Sequence, residues 1–428
     1  MSPPRLSSRL NAPQVERLPN GLTIIAEQMP IAAVSFHLWV QVGSRWERDE
    51  INGMAHFLEH MVFKGTSRLT MGEFERVIES RGASTNAATS QDYTHFYTTC
   101  APQDFAELAP LQLEVVLNPA IADEPFERER LVVLEEIRRS HDDPQRRIFQ
   151  AVLQLAFPKT PYARPVLGDR QIVEQLQAQQ MRDFHAHWYQ PQAMTATVVG
   201  NRPIAELVAM VAQSFSACYR VKTPSQSLGM PNSEPPSAFQ TIESRTVIDP
   251  GLQQARLIVL WRVPGLERFW DLLPLSVLAV ILGRGRVSWL FRELREEKGL
   301  VTAIGASNSI QAQQGLFYIA AQLPAENIEA VEACIVKHLT RLQTALIPES
   351  TLARVRTQVA NRFIFGNERP GDRANLYGYY YSQTGTLEPA LTYPQHIQSL
   401  TPPDLQTAAC TYLSPTAYGR VVALPKPQ

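Results

Sequence analysis

Two histidines and a carboxylate fall within one five-residue run, His56-Phe57-Leu58-Glu59-His60. The surrounding stretch from Met54 to Lys64 is largely apolar and contains neither glycine nor proline, which predicts a helix. Residues four apart on a helix share a face, so His56 and His60 point the same way. Two imidazoles at that spacing can hold one ion through nitrogen at roughly 2.0–2.1 Å, the distance zinc prefers. Glu59 flanks the same face. A lone His-x-x-x-His is more often a pair of unrelated histidines. Here, however, the pair sits in an apolar helix, where burying such groups unpaired costs several kcal/mol. A metal accounts for that pattern better.

A catalytic zinc takes three protein ligands and keeps one position for water, so a further ligand must come from elsewhere in the chain. The acidic segment Pro125 to Arg139 reads as a helix and contains Glu127, Glu129, Glu135 and Glu136. Glu129 and Glu136 are two helical turns apart and share a face, whereas Glu135 is turned by about 100° from Glu136. Periodicity therefore selects the pair Glu129 and Glu136, one to bind metal and one to support it from behind.

These helices need a scaffold. A chain of 428 residues is long enough for two domains. With 40 basic and 41 acidic side chains it lacks polyelectrolyte character, so nucleic acid is not an expected partner. No apolar stretch is long enough to span a bilayer, and none near the start resembles an export signal. Cys100, Cys218, Cys334 and Cys410 form no Cys-x-x-Cys pair and read as free buried thiols. A cytoplasmic protein is expected on these grounds.

Around Tyr219 to Ser244 hydrophobic periodicity gives way to Pro, Ser and Gly, the signature of a linker. The expected division is 1–222, a linker at 223–243, and 244–428. Both halves end alike: a helix, a Tyr-x-Pro stop and a Val-rich strand at Met181–Pro203, and the same order at Asp404–Pro425. That echo suggests a duplicated domain. Strand signals at Gly21–Glu27, Ala33–Val42 and Ala255–Val263 mix with helical patterns without strict alternation. The expected fold class is α+β, with two homologous domains, each a largely antiparallel sheet faced by helices.

The inverted order His-x-x-Glu-His, within Gly53-Met54-Ala55-His56-Phe57-Leu58-Glu59-His60-Met61-Val62-Phe63-Lys64-Gly65-Thr66, resembles the pitrilysin/insulinase family of zinc peptidases. Within that family it is most similar to mitochondrial processing peptidase β-subunits and bacterial two-chain relatives. The likeness continues through Gly82–Ala87, Glu127–Arg130, Val133–Ile137, Val198–Gly200 and Leu290–Glu296. It implies one zinc per chain bound by His56, His60 and Glu136, with Glu129 behind them and Glu59 as general base. It also implies that peptides or unfolded polypeptides add as a strand along Ser84–Thr89, where Asn86, Ala87 and Ala88 are the expected contacts and Asn86 the foremost. Small residues suit that role because main-chain bonds then carry the affinity.

The second half departs from the family pattern. Family members often complete the site with an Arg and, seven residues later, a Tyr; here Arg295 is present but Thr302 stands in the tyrosine position. In two-chain relatives the pair lies on the other subunit, so the resemblance implies a heterodimer with a homologous partner. A homodimer using Arg295 alone and a non-proteolytic scaffold subunit are the alternatives. Gly283-Arg284-Gly285 lacks the spacing and the lysine of a phosphate loop. The tyrosines at 377 and 379–381 read as packing aromatics. His37, His95, His141, His185, His187, His338 and His396 read as structural, without carboxylate or cysteine partners at ligand spacing.

Overall fold

Six strands form the first sheet: β1 Gln14–Arg17, β2 Thr23–Gln28, β3 Val34–Val40, β4 Ser84–Thr89, β5 Thr94–Cys100 and β6 Met194–Gly200. Their spatial order is β1-β2-β6-β3-β5-β4. In β3 and β6 every residue is buried, because helices cover both faces. Five strands form the second sheet: β7 Glu243–Asp249, β8 Ala255–Pro264, β9 Ala303–Ile310, β10 Gln314–Leu323 and β11 Gly419–Pro425, in the order β7-β11-β8-β10-β9. Each sheet has one parallel pair, β2 with β6 and β7 with β11, and is otherwise antiparallel. From β2 onward the first sheet repeats the order and directions of the second, so β6 and β11, the Val-rich strands that close the two halves, occupy the same place. These coordinates come from a computed structural model that describes residues 12–223 and 234–426. Residues 224–233 of the expected linker lie outside the described residues.

The helices nearest the site are α1 Met54–Met61, α2 Glu73–Ser80, α3 Phe105–Leu117, α4 Asp123–Asp142 and α5 Pro144–Ala156. The chain divides into two compact units that are not continuous in sequence. The first takes the described residues of Met1–Leu134, Val166–Pro231 and Ile364–Tyr393; the second takes those of Glu135–Pro165, Asn232–Phe363 and Pro394–Gln428. A division at 222 and 244 thus keeps the strands of the two sheets apart, but each unit also takes helices from the other half of the sequence.

In the first unit α3 and helix Ile204–Cys218 cover one face of the sheet, and helix Pro370–Thr384 covers the other. Tyr377 on that helix is fully buried and donates to Glu27 at 2.5 Å, beside an Arg373–Glu27 ion pair at 2.9 Å. The tyrosine cluster is therefore packing, as its helical spacing predicts. Gly378 permits the close approach: a Cβ there would lie 1.9 Å from Trp39 Nε1.

In the second unit α5 packs its apolar face, including Ile148, Val152 and Leu153, on Ile258, Leu260 and Val421 of the sheet. Arg147 of α5 grips the fully buried Asp249 at the end of β7 with two bonds of 2.7 Å, and Gly251 N adds a third at 2.8 Å. The guanidinium bonds and the backbone donor hold the Asp249 carboxyl below the usual aspartate range. A depressed carboxylate contributes stability in full above its unfolded value, roughly 3.9, and that contribution is lost as pH falls through the lower folded value. Asp249→Ala is expected to lower unfolding free energy by about 2–3 kcal/mol at neutral pH, read by urea denaturation. The difference from wild type is expected to start shrinking as pH drops below roughly 4 and to disappear only below the depressed folded value.

Cys100, Cys218 and Cys334 are buried free thiols, but Cys410 is exposed. It lies on the outer side of helix Pro402–Tyr412, whose inward positions are Leu405, Ala408 and Ala409. Among the described residues no helix is long and apolar enough to cross a membrane.

Candidate metal centre

Helix α1 begins without a local capping side chain. Its N-terminus is held instead by Glu47, fully buried, whose carboxylate accepts from Gly53 N at 2.8 Å, Ala55 N at 2.7 Å and Asn52 Nδ2 at 2.9 Å. An anion there satisfies the unpaired amides and matches the helix dipole. Gly53 adopts φ +98°, and a Cβ at that position would meet Leu167 O at 2.8 Å. These constraints fix the first turn, and with it His56.

His56 and His60 project from one face with ring centroids 4.9 Å apart. Of the four glutamates singled out on α4, Glu127 and Glu135 turn outward and pair with Arg130 and Arg138, as Glu124 at the start of the helix does with Arg128. Glu129 and Glu136 occupy the inward side. The boundary between the units falls inside this continuous helix, after Leu134, so α4 itself sets the spacing of the two carboxylates. Donor atoms of His56, His60 and Glu136 all lie within 4.8 Å of one another, close enough to hold one metal ion. Glu129, 8% exposed, stands behind His60: its carboxylate is 2.9 Å from His60 Nδ1 and 2.7 Å from Lys64 Nζ. With Nδ1–H donating to Glu129, the imidazole is in the tautomer that carries its lone pair on Nε2, the one a metal requires. Two imidazoles and a carboxylate suit zinc.

Glu59 lies between the two histidines in sequence, on the same helix. Its Oε2 accepts from Thr89 Oγ1 at 2.6 Å, which ties α1 to the end of β4. Tyr189, buried nearby, has its pKa pushed up by burial and secondarily by the charge of Glu59. Strand β4 is the sheet edge and pairs with β5 alone, so its other side presents main-chain groups to solvent. Asn86 and Ala88 are exposed and Ala87 is half-buried; the Asn86 Oδ1 accepts from Ala87 N at 2.8 Å.

Residues 23–170 match the model described as Insulinase (Peptidase family M16), and residues 175–359 match Peptidase M16 inactive domain. An uncharacterized zinc protease of Mycobacterium leprae is 34% identical over 314 residues, 72% of this chain and 68% of that protein. The chain belongs to the M16 peptidase family. Another M16 relative, an uncharacterized zinc protease of Mycobacterium bovis, is 29% identical over 97% of this chain and 93% of its own length. A protease from Helicobacter pylori has the same fold, with a TM-score of 0.89 and 25% identity over 97% of this chain and 100% of that one. A peptidase M16 inactive domain from Pseudomonas fluorescens superposes with a TM-score of 0.85 at 19% identity, over 97% and 98% of the two chains.

In the second unit of this M16 chain, Arg295 is exposed on the π-helix Phe291–Glu297 and stacks 4.8 Å over Phe291. Thr302 donates to Gln254 Oε1 at 2.8 Å. His338 has the carboxylate and cysteine neighbours that its sequence setting was expected to deny it, although its role stays structural. It lies 2.8 Å from Glu293 and clusters with Cys334, four residues earlier on its own helix. Lys298 and Lys337 also bind Glu293, at 2.8 and 2.9 Å, and hold that carboxyl far below its ordinary range. Two ammonium groups already neutralise it, so the cluster is an ion-pair network. Glu293 comes from 45 residues away, so no spacing rule could have joined it to His338, but the Cys334/His338 pair was legible at i, i+4.

Sequence reasoning also missed Glu47, Thr89 and Lys64. Glu47 caps from six residues outside the helix, and Thr89 reaches Glu59 across 30 residues. Glu129→Gln removes the charge that orients His60 and is expected to weaken zinc binding about 10–100-fold, measured by competition with a chelator of known affinity.

Proposed function

We infer that this chain is the zinc-bearing subunit of an endopeptidase that cleaves peptides or unfolded segments. The convergence of His56, His60 and Glu136, with Glu129 behind His60, carries the reading. When bound, zinc lowers the pKa of its water to near 7 and polarises the scissile carbonyl. The protein's own groups supply the remainder. Glu129 fixes the orientation of His60, and Lys64 pairs with Glu129 from the other side. Glu59, held by Thr89, takes the proton from the attacking water and returns it to the leaving amine. The open edge of β4 pairs with an extended substrate, with Asn86, Ala87 and Ala88 along it. Backbone pairing at small residues favours unfolded segments over a particular sequence.

Thr302 offers no phenol to stabilise the tetrahedral oxyanion, so the site is completed by a homologous partner chain carrying an Arg and a Tyr. The test is to assay a quenched peptide with this chain alone and mixed with such a homologue, each with and without a zinc chelator. Activity appearing in the mixture and abolished by the chelator supports the reading. Full activity of the chain alone means that Arg295 suffices in a homodimer. Absence of activity in every arm, with zinc present, favours a scaffold role.

A further inference from the structure

The second unit contains a depression that the peptidase reading does not use. Helix α5 covers the side of the sheet formed by β7, β11 and part of β8, and stops short of β9 and β10. On that uncovered face the register sets three rows of residues across β8, β10 and β9: Arg256, Gln322 and Ala303; then Ile258, Ala320 and Gly305; then Leu260, Tyr318 and Ser307. Ala320 and Gly305 are small and make a low floor. Phe149 of α5, 40% exposed, and Tyr318 form apolar walls, with their rings 6.1 Å apart. The resulting cavity is about 430 Å³, within the range of small-ligand pockets.

One end of the cavity is cationic. Arg256 Nη1 is buried and has no hydrogen-bond partner among the described residues, and no carboxylate pairs with this guanidinium there. Leaving a buried charged donor unmade is costly. The nearby acids are engaged elsewhere. Asp143 caps α5 by accepting from Gln145 N at 2.8 Å and sits 3.7 Å from Arg146, while Asp249 is held by Arg147. A second depression of about 480 Å³, lined by glutamines, shares Gln145, Arg256 and Gln322 with the first. Gln322 Nε2 donates to Gln254 Oε1 at 2.9 Å, which leaves the side-chain amide oxygen, Oε1, to accept, while its main-chain carbonyl is taken by Thr302.

We propose that this pocket binds the C-terminal end of a peptide whose last side chain is apolar, with the α-carboxylate on Arg256. An arginine fork matches a carboxylate with two parallel bonds. The apolar side chain lies over Ala320 and Gly305 between Phe149 and Tyr318. The Gln145 side chain and Gln322 Oε1 suit the amide that precedes the last residue. A medium-chain fatty acid shares the carboxylate and the apolar body but has no amide to match them. The proposal does not depend on the zinc-centre reading, because none of the residues it uses belongs to the His56, His60 and Glu136 cluster.

The experiment is calorimetric titration of the full-length, zinc-loaded chain with acetyl-Gly-Phe, its C-terminal amide and decanoate, repeated on Arg256→Gln and Phe149→Ala. Acetyl-Gly-Phe is expected to bind, and the amide at least about tenfold more weakly, the loss of one charge-assisted bond. Arg256→Gln is expected to weaken the acid by a similar factor while keeping Tm unchanged or raising it, because an unpaired charge is removed. Phe149→Ala is expected to weaken acid and amide alike. Unchanged affinity of the acid for Arg256→Gln, as coordination to zinc alone would give, overturns the proposal. So does equal affinity for acid and amide, or no binding of the acid. Decanoate binding more tightly than acetyl-Gly-Phe overturns the peptide as occupant.

Discussion

Glu59→Gln is expected to lower kcat for peptide hydrolysis by about 10²–10⁴-fold while one zinc per chain stays bound. Glutamine keeps the shape of the side chain and an oxygen that can still accept from Thr89 Oγ1, so α1 and β4 remain joined. What it loses is the capacity to take a proton from water and return it to the leaving amine. Glu59 is not among the grouped donors His56, His60 and Glu136, so metal content is expected to be unchanged. The measurements are kcat on a quenched peptide and zinc by atomic absorption on the same sample. Hydrolysis that survives with zinc bound would falsify the assignment of Glu59 as base.

His56→Ala is expected to abolish both stoichiometric zinc binding and hydrolysis, an effect larger than that of Glu129→Gln. It removes one of three donors outright, whereas Glu129 acts through His60 and its loss leaves the donor set intact. His60→Ala is expected to match His56→Ala in zinc loss and in addition to strand Glu129 against Lys64 alone. The ranking separates a metal centre from a structural histidine pair. If both histidine variants retain zinc at full occupancy, the ion is held elsewhere. Thermal melts of zinc-loaded and chelated wild-type protein give the accompanying control, because a ligand bound only by the folded state raises Tm by mass action.

Much of the candidate metal centre was legible because it is local. His56 and His60 are one turn apart on a single helix, and Glu129 and Glu136 two turns apart on another, so 3.6-residue periodicity alone selects the faces. Outward Glu127 and Glu135 follow the same rule, and both pair with arginines three residues on. Strand existence was legible where apolar and β-branched residues concentrate, as in β3 and β8. Periodicity could not say which of Glu129 and Glu136 reaches the metal. That depends on how far α1 lies from each turn of α4, a tertiary distance. The resemblance assigned the two roles, and the structure supplies the distances, 2.9 Å from Glu129 to His60 and a shared cluster for Glu136.

By itself, then, the sequence determined the kind of chemistry, an inverted His-x-x-Glu-His face with a remote acidic helix, and an α+β fold with an internal echo. Tertiary structure alone decided the supports: Glu47 beneath α1, Thr89 on Glu59, Lys64 on Glu129, and the exchange of helices by which α5 faces the second sheet while helix Pro370–Thr384 faces the first. It also decided that, among the described residues, Arg256 has no carboxylate partner at the end of an apolar cavity. The physical reason is range. Helix and strand periodicities act over a few residues, whereas capping, ion pairing and helix docking join groups brought together only when the chain closes on itself.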